Sequence, residues 1–102
     1  MIKIETTSDS KKVLKQISTQ LLHQKLTACT HIEKIPYSSY VWKKEIVTKK
    51  EYKLSIKALE KNEKKITLII KKYHNYEVFD LLKQKITNLN PDYLKWFKKE
   101  IN

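Results

Sequence analysis

The stretch Ile70-Lys71-Lys72-Tyr73-His74-Asn75-Tyr76-Glu77-Val78-Phe79-Asp80 decides how the chain is laid out. Ahead of it and into it, Ile66, Ile69, Ile70 and Tyr73 recur at helical spacing, with Lys64, Lys65, Lys71 and Lys72 on the wet side. That predicts a helix capped at Asn62 and ending near His74. Beyond it, Val78 to Leu89 reads as a strand. The join between them holds an imidazole, a phenol and a carboxylate, those of His74, Tyr76 and Asp80. Such a helix exit can aim side chains from rigid structure, or it can be an ordinary turn. Asparagine is the best left-handed helix terminator left to a chain without glycine, which gives Asn75 that role.

Working outward, Ile2, Ile4 and Thr6 alternate with Lys3 and Glu5, the period of a strand with one buried face. Ser8-Asp9-Ser10 offers capping oxygens to a helix whose Val13, Leu14, Ile17 and Leu21 form a stripe reaching about residue 26. Ala28 to Ile35 reads as a second strand interrupted by Pro36. A long hairpin follows over about residues 37–58, turning at Lys43-Lys44, although neither lysine tolerates positive φ well. Asn90-Pro91-Asp92 starts a last short helix with a capping amide, a proline in the first turn and an acid at the positive dipole end. Its Tyr93, Leu94, Trp96, Phe97 and Ile101 are too apolar to stay wet. The order β, α, β, β, α, β plus a terminal helix predicts a single α+β domain over residues 1–102 of ferredoxin-like, split βαβ type. Two helices cover one sheet face. The other face calls for a further cover, most simply another copy of the chain.

With 102 residues the chain is long enough to fold alone. Its 22 basic residues are all lysine, against 11 acids, for a formal charge of +11. The absence of both arginine and glycine points to a coding bias. Most of the lysines are expected to line solvated faces, leaving a salt-sensitive attraction to polyanions. Without arginine forks or stacking aromatics, specific nucleic-acid reading is not expected. A single cysteine, Cys29, excludes an intramolecular disulfide and suits a reducing, cytoplasmic setting. Neither an apolar leader nor a run near the ~18 residues that span a bilayer is apparent, so no membrane association is expected.

The residues offer few chemical constellations. Cys29, His31 and Glu33 share a strand face, but neighbours two apart lie ~6.5 Å from one another along a strand, too far for easy chelation. His23 reads as a solvated histidine. An enzyme would need Lys57 with a depressed pKa, or Cys29 paired with His74, and the sequence carries no nucleophile motif or phosphate loop to support either.

Several pieces together, Leu26-Thr27-Ala28-Cys29, Tyr40-Val41-Trp42, Glu51 through Lys57, His74-Asn75-Tyr76 with Asp80, and Asp92-Tyr93-Leu94-Lys95-Trp96, resemble the CutA family of divalent-cation tolerance proteins. The resemblance implies a compact homotrimer with clefts between subunits, a link to tolerance of copper and other divalent metals, and no established catalysis. The positions it carries over are Cys29, Trp42, Lys57, His74, Tyr76 and Trp96, with Asp80 where the family usually has glutamate. The family's usual His-Pro-Tyr stands here as His74-Asn75-Tyr76, and the glycine usual after the tryptophan is Lys44. Two uses of the cleft follow. In one, His74 with Asp80 or Glu77 binds copper or zinc, since imidazole plus carboxylate suits either ion. In the other, a PII-like trimeric scaffold binds a small anion or partner protein, with Lys57 supplying charge and Trp42 and Tyr76 flat contact surfaces.

Overall fold

The computed structural model describes all 102 residues. In order they form β1 (Ile2–Ser8), α1 (Lys11–His23), β2 (Thr30–Trp42), β3 (Glu45–Ala58), a 3-10 turn (Glu60–Asn62), α2 (Glu63–Tyr73), β4 (Leu82–Lys85) and α3 (Pro91–Glu100). The sheet runs β2-β3-β1-β4 with every neighbouring pair antiparallel, so the α+β, ferredoxin-like arrangement expected from the sequence is present. Ile2 and Ile4 of β1 and Leu54, Ile56 and Ala58 of β3 point to one face. They meet Leu14, Ile17 and Leu21 of α1 and Ile66 and Ile70 of α2, and all ten are essentially sealed from solvent. The alternation within strands and the 3.6 spacing within helices put these residues together, and burying each leucine or isoleucine side chain among them contributes roughly 1.5–3 kcal/mol.

Local chemistry sets the boundaries. Ser10 caps α1 through its side-chain oxygen, which accepts from the Val13 N–H. The helix stops at His23, short of residue 26, because Lys25 turns left-handed at φ 56°. The N–H groups of Lys25 and Leu26 then return to the carbonyls of Leu22 and Leu21, a Schellman closure that buries Leu26. Asn62 stands at the α2 N-cap, but its amide donates to the Leu26 carbonyl, tying the two helix ends together, and does not cap.

Three further sequence expectations are corrected. Pro36 does not break a strand: β2 runs through it from Thr30 to Trp42, with a register shift between Ile35 and Ser38 that accommodates the missing N–H. The strand expected over Val78–Leu89 is only Leu82–Lys85, since just ahead of it Asp80 is tied to Thr6 and Thr7 of β1 through side-chain bonds in place of a strand ladder. Asn75 is not left-handed: α2 ends at His74 in extended geometry, and the positive φ values belong to Lys25, Lys43 and Lys44.

The far side of the sheet is partly covered by α3. Lys57, whose neighbours Ile56 and Ala58 face the two helices, points away from them and lies over the Tyr93 ring at 5.1 Å. Phe97 is fully buried outside the main core, among Tyr93 and Trp96. The Asn102 N–H bonds the Lys25 carbonyl and closes this corner.

Candidate functional site

The residues singled out from the sequence fall into two separate groups. The first surrounds an open groove of about 950 Å3 between the distal half of the β2–β3 hairpin and residues 75–80. Trp42, Tyr76, Glu77 and Asp80 all line it. The second, Cys29, Lys57 and Trp96, gathers around Tyr93 on the face covered by α3.

Around the groove, His74 is spent on holding the loop. Its Nε2 lies 3.0 Å from the Thr7 carbonyl and must carry the proton, while Nδ1 accepts the Tyr76 N–H at 3.0 Å. The ring stacks on Phe79 with centroids 4.3 Å apart. Burial lowers the pKa of His74, outweighing the Thr7 carbonyl and the carboxylates of Asp80 and Asp9, which favour the cation. Asp80 is also committed, accepting the Thr7 N–H at 2.7 Å and the Thr7 hydroxyl at 3.0 Å, while its carbonyl accepts from the Thr6 hydroxyl. Glu77 is exposed. Nowhere in the chain do three His, Cys, Asp or Glu side chains converge closely enough to hold a metal ion. Within one subunit His74 and Asp80 thus already serve the loop, His74 with both ring nitrogens and Asp80 with one lone pair on each carboxylate oxygen, while Glu77 makes no such bond.

The groove's polar floor went unnoticed in the sequence. Glu51 is 4% exposed, and its carboxylate accepts from the Ser38 and Tyr76 hydroxyls, each at 2.5 Å. Burial, with the Glu51 carboxylate beside it, pushes the Tyr76 phenol up to about 12. Lys49 sits over the Tyr76 ring at 5.0 Å and the Tyr40 ring at 5.8 Å, and pairs with Asp9 at 3.1 Å. Contact with Tyr40, then with Tyr76 and Asp9, raises the Lys49 pKa. The Asn75 amide donates to Asp9 at 2.9 Å and its oxygen accepts the Ser8 hydroxyl at 2.5 Å. The one available sequence signal was Glu51 itself, the lone acid in the lysine-rich segment from Val47 to Lys57.

At the second group, Thr27 is the anchor. Its hydroxyl lies 2.5 Å from the Lys57 carbonyl and accepts the Cys29 N–H at 3.2 Å, while the Lys57 N–H bonds the Cys29 carbonyl. These bonds set Cys29 and Lys57 side by side under Tyr93. The Tyr93 hydroxyl is buried without a hydrogen-bond partner, and burial raises its pKa, helped by the neighbouring Cys29 thiol. Lys57 makes no ion pair. Thr7, which holds His74, stands opposite Lys53, four strand positions from Lys57, or about 13 Å along β3. Cys29 and His74 are thus not a nucleophile–base pair.

A model of the CutA1 divalent ion tolerance protein family matches residues 2–100. The chain belongs to that family. It is 31% identical over 101 residues to the divalent-cation tolerance protein CutA of Thermotoga maritima, covering 99% of both chains. A CutA homologue of Xenopus laevis is 33% identical over 84 residues, but there the match spans only 56% of the longer relative. Among solved structures, CutA1 of Pyrococcus horikoshii superposes with TM-score 0.92 at 26% identity, covering 100% of this chain and 99% of that one. CutA1 of Thermus thermophilus gives 0.89 at 27% identity over the full length of both.

Proposed function

We propose that the chain acts in divalent-cation tolerance as a cytoplasmic, non-catalytic homotrimer, in which the two groups of site residues are completed by contacts between copies. The observation that carries this reading is the distribution of uncovered apolar surface. Tyr37, Val41, Trp42 and Ile46 on the hairpin, Leu82 on β4 and Trp96 on α3 are all exposed, and the outer edges of β2 and β4 have no strand beside them. Isolated proteins blunt such edges and patches, and assembly covers them.

In this reading the cation is cargo, copper or zinc, held between subunits. Glu77 is the ligand free to take it at once. His74 joins only by giving up the Tyr76 N–H at Nδ1, whereas Asp80, with a second lone pair on each carboxylate oxygen, can bind while still holding Thr7. Light scattering on the purified protein should give three times the 12.3 kDa subunit mass. Titration with zinc should show binding that His74→Ala and Glu77→Ala each weaken at least tenfold at unchanged assembly mass. A stable 12.3 kDa species, or equal binding by parent and variants, defeats the corresponding half of the proposal.

A second reading is favoured by the Lys57 corner, where an ammonium without a carboxylate partner lies over the ring of Tyr93, whose buried hydroxyl has no hydrogen-bond partner. There a PII-like scaffold would take a small anion or an acidic segment of a partner protein, with Lys57 as the counter-charge. Lys57→Met should then abolish anion capture while zinc binding persists.

A further inference from the structure

The basicity of the chain is concentrated on one face. Lys11, Lys12 and Lys15 on α1 and Lys64, Lys65, Lys71 and Lys72 on α2 stand against a single acid, Glu63, within two helices of 13 and 11 residues. The two helices therefore carry +6 of the chain's +11 in less than a quarter of its length. All seven lysines are exposed and none makes an ion pair, while Glu63 is already taken by Lys83 at 2.8 Å. A surface selected only for solubility mixes signs and sets Glu four residues before Lys. Clustered like charges cost helix stability instead.

The arrangement on α2 is more specific than a count. Leu68 is 65% exposed at the middle of the outer face, and the four lysines occupy the positions three and four residues to either side of it. Those are the positions that surround a residue on a helix surface. Ile66 and Ile70 fix the rotation of the helix by packing into the core, so Leu68 and its ring of ammonium groups must point outward. On α1, the exposed Leu22 adds a second apolar contact to the same helical layer.

We propose that this helical face docks the protein on an anionic lipid bilayer, peripherally and without insertion of a helix. The chemistry of the patch selects the partner. Lysine stems lie along an apolar surface and carry their ammonium groups to the phosphate layer, and a central leucine reaches the acyl boundary between them. A nucleic-acid backbone matches the charge but offers Leu68 nothing, and the patch has neither the arginine fork nor the stacking rings that nucleic-acid surfaces use. No helix here is long and apolar enough to cross a membrane. The inference is independent of what the groove or the Lys57 corner binds.

Sedimentation of the full chain with phosphatidylcholine vesicles, with and without phosphatidylglycerol, tests the idea. Binding is expected only to the anionic vesicles. Each Lys→Gln change among residues 64, 65, 71 and 72 should weaken it about fivefold, and the quadruple variant should lose more than about a hundredfold. Leu68→Ser should weaken it several-fold and leave a remainder more sensitive to salt. The control variant Lys43→Gln, Lys44→Gln, Lys98→Gln, Lys99→Gln removes the same charge elsewhere and should retain most of the binding. All these positions are exposed, so circular dichroism and thermal melting should match the parent. Absence of binding to anionic vesicles overturns the proposal. Equal loss in the control reduces the effect to net charge and overturns it too. Tighter binding to a single-stranded RNA oligomer, insensitive to Leu68→Ser, overturns it in favour of nucleic acid.

Discussion

The Tyr76 hydroxyl donates to the buried carboxylate of Glu51 across 25 residues, joining the segment after α2 to the middle of β3. The Ser38 hydroxyl takes the other carboxylate oxygen, so Glu51 is satisfied only while hairpin and segment are both in place. Tyr76→Phe keeps the ring over Lys49 and removes the donor. Because it strands a buried charged acceptor, the cost should be about 1–3 kcal/mol in urea unfolding. With Glu51→Gln in the background, the same Tyr76→Phe change should cost clearly less. Equal costs in the two backgrounds would refute the coupling.

His74 gives the pH dependence its sign. Its pKa is lowered in the folded chain by burial, while the unfolded chain titrates near the ordinary ~6.5. Above that value both states are neutral and stability is at its full level. As pH falls below it the unfolded state takes up the proton first, so stability declines until the folded pKa is passed and the loss levels off. Protonation at Nδ1 also opposes the Tyr76 N–H that this atom now accepts. Urea midpoints should therefore drop between neutral pH and about pH 5, and His74→Gln should flatten that part of the profile. A parent profile already flat there would contradict the burial of a neutral ring.

The strands and helices were legible because periods of 2 and 3.6 are local. What escaped the sequence depends on distant partners. Residues 78–81 read from the sequence as the start of a strand that runs on to Leu89. Asp80 among them is instead tied by side-chain bonds to Thr6 and Thr7, more than seventy positions away. Asn75 looks like a helix terminator until Ser8 and Asp9 claim its amide. Family resemblance suggested the site residues as one set, and no pattern in the chain said that Cys29, Lys57 and Trp96 would part from Trp42, His74 and Tyr76. That separation follows from register, with Thr7 opposite Lys53 and Lys3 opposite Lys57. Nothing local marks Glu51 as buried, because the two hydroxyls that satisfy it come from Ser38 and Tyr76, 13 and 25 positions away.

Asp80 fastens the loop to β1 by accepting both the N–H and the hydroxyl of Thr7. The site is exposed, which limits the value of each bond. Asp80→Ala should nevertheless cost about 1–2 kcal/mol, because two charge-assisted bonds are lost and the Thr7 N–H must find water. Amide hydrogen exchange should speed up at Thr7 and Tyr76 and stay unchanged in α1. Asp80→Asn keeps one acceptor oxygen and should recover part of the loss. If Asp80→Ala matches the parent in both measurements, the clasp does not hold the loop.

The hairpin turn offers a gain in place of a loss. Lys43 and Lys44 sit at φ 50° and 68° between Trp42 and Glu45, the two-residue connection in which both central residues are left-handed. This conformation matches the twist of the paired strands and is normally built from Asn-Gly. For lysine the left-handed region costs about 1–2 kcal/mol per residue from crowding of Cβ against the backbone. Both side chains are exposed and unpaired, so nothing is lost when they are removed. Lys43→Asn with Lys44→Gly should therefore raise unfolding stability by about 1 kcal/mol, less than the summed strain because glycine also widens the unfolded ensemble. Chemical denaturation of the parent and double variant at the same protein concentration measures this directly. A variant no more stable than the parent would mean that the turn relaxes out of the left-handed region in solution.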